Sequence, residues 1–260
     1  MKLYIIVAGW IYSCRQPWAA LVELKRLSNA TVVAFVDNPT SVAEWKSTVH
    51  PEVSIEMSHE QMHDGIKTVI PWIHFRGKEA YFLQDEACCH TPYILYRRYE
   101  AMKRLTNVNG NANAQILVLR PDSVFDPPTM YAQLRHQHEA VTHAASFSSE
   151  QGGYACPQSV NDQWLFGPFN AVQKVLLAFE NLAEWHKEWE RDPQFVRWWT
   201  VGNRVPPHKF FLNAEGIVGK MLQRTNQTCR TDTRLQVKNV KACALNLKKR
   251  LESLGSVSEH

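Results

Sequence analysis

The sequence predicts one large α/β domain built on a largely parallel sheet, and three observations carry that prediction. Residues 3–8 (LYIIVA) form an unbroken apolar run ending in Gly9, the pattern of a strand buried on both faces and followed by a tight turn. A helical pattern and a second β-branched run at 31–36 follow it, which makes a βαβ opening. Farther along, 115–119 (QILVL) reads as a central strand that delivers Arg120 and Asp122 to its carboxyl end.

Taken in order, Pro17 opens the first helix, Trp18, Leu21, Val22 and Leu24 give it an apolar side, and Asn29 stops it. Asp37-Asn38-Pro39 closes the second strand, so strands one and two end at the edge where open α/β folds bind ligands. Between 40 and 90 the pattern yields short strands at 53–57 and 67–70. From Pro92 the spacing of Leu95, Tyr99, Met102 and Leu105 marks a helix, and a polar loop at 107–113 precedes the central strand. A short aromatic strand at 164–167 leads into a helix whose inner face is Val172, Val175, Leu176, Phe179 and Leu182. Residues 1–225 are read as this domain and 226–260 as a basic helical tail, with Val237, Val240, Ala244, Leu247, Leu251 and Leu254 three and four apart. That seam suits a helix packed on its own domain, a homodimer contact, or a basic helix on a membrane surface.

With 45% hydrophobic and 11% aromatic residues the chain can bury enough apolar surface to fold. A formal charge of +4 suits an anionic small substrate and is too weak and scattered for a nucleic-acid groove. The six cysteines contain no CxxC pair, so reduced thiols are expected. No stretch approaches the ~20 apolar residues of a transmembrane span, and the expected setting is soluble and cytoplasmic.

Several residues are candidates for chemistry. Asp122, after a buried strand and an Arg-Pro pair, can hold a divalent cation that bridges two phosphates, while Arg120 adds charge-assisted hydrogen bonds; a plain strand-end turn is the alternative. Asp162, before an apolar strand, can act as a general base or start an Asx turn. His208 can add an imidazole to a metal site or lie exposed. Trp185, Trp189, Trp198 and Trp199 can stack on sugar rings or pack in a core. His59, Glu60 and His63 spell HExxH, the zinc-protease pattern, but Asp64-Gly65 follows at once and no buried helical face precedes it, so a solvated loop is expected.

In order and spacing, residues 3–222 resemble a GT-A-type glycosyltransferase of the polysaccharide-synthesis kind found in bacteria and large viruses. The matching stretches are Ile5-Ile6-Val7-Ala8-Gly9, the helix before Arg120-Pro121-Asp122, the segment from Asn161-Asp162 through Trp164 to Gly167, and Asn213-Ala214-Glu215 followed by Met221-Leu222. Tyr12 stands where the group has Arg, with Arg15 later, and Arg-Pro-Asp replaces the usual DxD. The resemblance implies a GT-A-like, mixed, mostly parallel sheet flanked by helices, a nucleotide-diphosphate sugar donor and a glycan acceptor. It places the nucleotide at Gly9, Trp10, Arg15 and Asp37, and the diphosphate with Mn²⁺ or Mg²⁺ at Arg120 and Asp122, the metal site to which the reading of the residues adds His208. Asp162 becomes the base of an inverting transfer, and Asn161, Trp164 and Trp198 meet the acceptor. A noncatalytic binding module and a zinc protease are the rivals.

Overall fold

The apolar runs fold into the strands their composition predicts. The computed structural model describes residues 2–11, 15–37, 41–70, 74–76, 79–81, 91–106, 113–135, 141–144, 164–189, 214–232 and 238–239. In chain order the elements are β1 (Leu3–Trp10), α1 (Arg15–Ser28), β2 (Thr31–Asp37), α2 (Val42–Val49), β3 (Val53–Ser54), α3 (His59–Val69), β4 (His74–Arg76), β5 (Glu79–Tyr81) and α4 (Thr91–Thr106). There follow β6 (Gln115–Leu119), β7 (Ser123–Val124), α5 (Pro127–Leu134), β8 (Val141–Ala144), β9 (Trp164–Pro168), α6 (Phe169–Leu177), a 3₁₀ turn (Ala178–Asn181), α7 (Leu182–Trp189), α8 (Ala214–Arg224), β10 (Cys229–Asp232) and β11 (Lys238–Asn239).

Seven strands make one sheet in the order β10-β8-β9-β6-β1-β2-β3. The pairs β1/β2, β1/β6, β2/β3 and β8/β10 are parallel, whereas β9 is antiparallel to both β6 and β8. Six strands therefore run one way and β9 alone runs back. This is the mixed, mostly parallel sheet flanked by helices that the resemblance implies.

Side chains alternate across the sheet, which sorts the core into two layers. Leu3, Ile5 and Val7 of β1 join Trp18, Leu21 and Leu24 of α1, Trp45 of α2 and Met130 of α5 on one face. Tyr4, Ile6 and Ala8 join Met102 of α4, Val172 and Val175 of α6, Met62 of α3 and Met221 of α8 on the other. Covering both faces explains why β1, β2 and β6 read as continuous apolar runs rather than alternating ones. Asn29 ends α1 with φ 49°, a left-handed conformation that asparagine tolerates well.

Three expectations are corrected. Residues 67–70, expected as a strand, belong to the last turn of α3 and its cap. The HExxH segment is helical rather than a solvated loop: Ser58 and Gln61 form a capping box, and Met62 and Ile66 are fully buried. Gly65 does not interrupt that helix but lets it press on α4, since a Cβ there would fall 2.0 Å from the Tyr96 hydroxyl. Finally, the described part of 226–260 is tied into the domain as strands, β10 against β8 and β11 against β7. Val240 onward, with the rest of the seam and any homodimer contact through it, lies outside the described residues.

Candidate functional site

The carboxyl ends of β1, β2 and β6 meet at one edge of the sheet, and β9, being reversed, starts there. The register fixes neighbours: Trp10 lies beside Asp37, Val7 beside Leu119, and Leu119 beside Trp164. Gly9 allows this convergence. Its φ of +141° is a conformation that side chains rarely adopt, and a Cβ there would sit 3.1 Å from the Pro121 ring, so β1 approaches the Arg120-Pro121-Asp122 turn only as glycine. Trp10 follows at 44% exposure, the one exposed large apolar side chain among the described residues. An indole left in solvent at a sheet's ligand edge offers a flat stacking surface.

Next to it, Asp37 ends β2 with its backbone pinned, its carbonyl accepting from the Ile11 N–H at 3.0 Å. Its carboxylate accepts from Arg97 Nη2 of α4 at 3.1 Å. Burial pulls the Arg97 guanidinium below its ordinary pKa while the Asp37 charge pushes the other way. The guanidinium also lies over two rings, 5.9 Å from the Phe35 centroid and 6.0 Å from that of Tyr93. Asp37 opens onto a cleft of about 440 Å³ between the end of β2 (Phe35, Val36), α2 (Val42, Lys46) and the entry to α3 (Glu56, Met57, Ser58, Gln61). That volume suits a small-molecule ligand. A Lys46–Glu56 ion pair links two of its walls.

Arg120 and Asp122 form the second ion pair of this edge. Arg120 Nε donates to Asp122 Oδ1 at 3.0 Å and Nη2 to Oδ2 at 2.9 Å, a bidentate fork in which the carboxylate is 1% exposed. Each oxygen thus accepts one hydrogen bond from the guanidinium, whose positive charge opposes a divalent cation at the same carboxylate. Among the described residues no group of three or more His, Cys, Asp or Glu comes together to hold a metal ion. Among the described residues, the donor set at Asp122 is one carboxylate paired with a guanidinium, which does not by itself make a site for the Mn²⁺ or Mg²⁺ that the resemblance implies.

Trp164, expected at the acceptor, is corrected: it is 1% exposed and packs in the same core layer as Trp18 and Phe125. Its register opposite Leu119 turns the indole into that layer, where it has no face to offer a sugar. Arg15, at the start of α1, forms an exposed ion pair with Glu44 of α2. In α3, His59 stacks against Tyr93 with centroids 4.9 Å apart, and burial lowers the pKa of His63. With no third ligand among the described residues, the HExxH helix has no zinc centre there. Asn161, Asp162, Trp198 and His208 lie outside the described residues.

Reading the sequence missed Arg97. The apolar spacing of α4 turns position 97 away from the predicted apolar face, yet Arg97 is buried, as are Arg98 and Glu100. The available signal was the Arg97-Arg98 doublet inside a helix that also carries Leu95, Tyr96, Tyr99 and Met102. Lys46 and Glu56 were missed as well, since nothing local marks them as cleft walls.

No known protein family matches the sequence, and no curated protein does. Among solved structures, mouse xyloside xylosyltransferase 1 in its apo form is 10% identical, with 89% of this chain and 84% of that one covered and a TM-score of 0.41. The apo glycosyltransferase GlyE of Streptococcus pneumoniae is 11% identical, covering 88% of this chain and 45% of that one at a TM-score of 0.38. The galactosyltransferase LgtC in complex with donor and acceptor sugar analogs is 10% identical over 88% and 73%, with a TM-score of 0.39. Likeness at this level assigns neither a family nor an activity to the chain.

Proposed function

We propose that the chain is a glycosyltransferase that moves a monosaccharide from a nucleotide-diphosphate sugar to a glycan hydroxyl, in the cytoplasmic synthesis of a surface polysaccharide or glycoprotein glycan. The observation that carries this reading is the grouping of the exposed Trp10, the Arg97-backed Asp37 carboxylate and a cleft of about 440 Å³ at the carboxyl edge of the parallel strands. An aromatic face for a base, a carboxylate for N–H or O–H donors and room for a nucleoside are what a nucleotide requires.

Arg120 supplies positive charge at the neighbouring turn, where the diphosphate would lie. In the transfer, the bond between the anomeric carbon and the diphosphate oxygen breaks and that oxygen keeps the electron pair. The acceptor oxygen bonds to the anomeric carbon, and its proton passes to the Asp162 carboxylate. Asp162 is two residues from Trp164, the first residue of β9 at this edge, with Asn161 beside it and Trp198 as the acceptor's stacking partner.

The test is nucleotide release from UDP-, GDP-, CMP- and dTDP-sugars with a panel of glycan acceptors, run beside thermal shifts with each donor. Stabilisation by one nucleotide class and turnover that disappears in Asp162→Asn, with the shift retained, is the expected result. A shift without turnover for any acceptor favours the second reading, a noncatalytic nucleotide-sugar-binding module. One observation supports that rival: Asp122 is sealed by Arg120. Neither shift nor turnover overturns both.

A further inference from the structure

Resting on the nucleotide reading of this edge, we infer that Arg97 is a positioning residue that sets the Asp37 carboxylate for the nucleoside. Arg97 does not present itself to the cleft: its side chain is 6% exposed, whereas that of Asp37 is 34% exposed and lines the cleft wall. The pair is therefore directional, with a buried cation behind and a carboxylate in front.

The guanidinium is itself held. It lies over the rings of Phe35 and Tyr93, and Phe35 belongs both to the core and to the cleft wall. The Asp37 backbone, by contrast, does not depend on Arg97, because the β1–β2 register and the Ile11 N–H bond fix it. What Arg97 determines is the side-chain rotamer of Asp37. A carboxylate so held accepts hydrogen bonds from a nucleoside without first giving up rotamer freedom, which raises affinity through preorganisation. Asp37 is the group that would touch the ligand, and Arg97 acts only through it.

The experiment is calorimetry with UDP, GDP, CDP and dTDP, and with inorganic pyrophosphate, on the full chain and on Asp37→Asn, Arg97→Gln, Arg97→Lys and the Asp37→Asn/Arg97→Gln double variant. For the nucleotide that binds the unmodified chain best, Asp37→Asn and Arg97→Gln should each lose on the order of tenfold in affinity, the scale of one hydrogen bond to a charged group. The double variant should lose no more than either single one. Arg97→Lys should recover part of the loss, and pyrophosphate affinity should stay level throughout. If Arg97→Gln does not fold, Arg97→Lys carries the test, with a several-fold loss expected for the nucleotide and none for pyrophosphate. Nucleotide affinity unchanged in an Arg97 variant while Asp37→Asn weakens it overturns the inference alone. Failure of every nucleotide to bind the unmodified chain overturns the inference together with the functional reading.

Discussion

The two ion pairs at the sheet edge are built in opposite senses. On the β2 side the arginine is buried and the acid looks out: Arg97 is 6% exposed and Asp37 34%. On the β6 side the acid is buried and the arginine is the more exposed member: Asp122 is 1% exposed and Arg120 16%. One pair offers an acceptor to N–H and O–H groups and the other a cation to an anion, the complementary chemistry that the two ends of the proposed nucleoside diphosphate would require. The difference also divides the labour between stability and binding. A buried charge must keep its partner or cost the fold dearly, while the more exposed member is the one nearer solvent.

Breaking the sealed pair should have the largest effect. Arg120→Ala leaves the buried Asp122 carboxylate without its bidentate partner and should cost about 3–5 kcal/mol of unfolding free energy in urea titrations. A loss below about 1 kcal/mol, the level of a surface pair, would show that Asp122 is not a structural anchor. Gly9→Ala strikes the junction of the two halves, where φ is +141° and the Pro121 ring is 3.1 Å from the new Cβ. About 1–3 kcal/mol of strain is expected, read by thermal melting, together with weaker nucleotide binding because the two turns are pushed apart.

Trp10→Ala sharpens the comparison from the open side. Stability should move by less than about 0.5 kcal/mol, as for an exposed site. Nucleotide binding should fall by about 1–3 kcal/mol if a base stacks there; equal affinity for both chains would remove Trp10 from the site. The smallest effect belongs to Lys46→Ala. Its ion-pair partner Glu56 is 79% exposed, so solvent screens the pair and the unfolding midpoint should stay where it is, both in Lys46→Ala and in a double-mutant cycle with Glu56→Ala.

How much of this was legible in the chain follows from where each signal resides. Strands β1, β2, β6 and β9 and helices α1, α4 and α6 announce themselves because burial on both faces of a sheet demands uninterrupted apolar runs, and its flanking helices need a regular apolar side. Helix α3 hid because its core contribution is largely two side chains, Met62 and Ile66, and because Gly65 suggested a break. Its Ser58-x-x-Gln61 capping box was nevertheless present in the sequence, and it marks a helix start. The edge as a candidate ligand site was readable from the strand ends, but the partners of its acids were not. Asp37 and Arg97 are separated by 60 positions, and only folding brings them together. Trp164 misled for a related reason: an aromatic residue at the mouth of a strand looks available until the register decides which face it occupies. β10, with the sequence CRTD, has no apolar pattern and is a strand only because β8 gives it a partner.

One pairing also sets an order of events. β11 joins β7 immediately after Asp122, across more than a hundred residues of chain, while β1 and β2 meet across the single helix α1. Local pairings close early and distant ones late, because closing a long loop costs entropy before any contact repays it. During synthesis the Trp10–Asp37 corner is therefore expected to take shape while the ribosome is still far from Lys238, and the turn that carries Arg120 is expected to receive its last strand only after Lys238 has emerged.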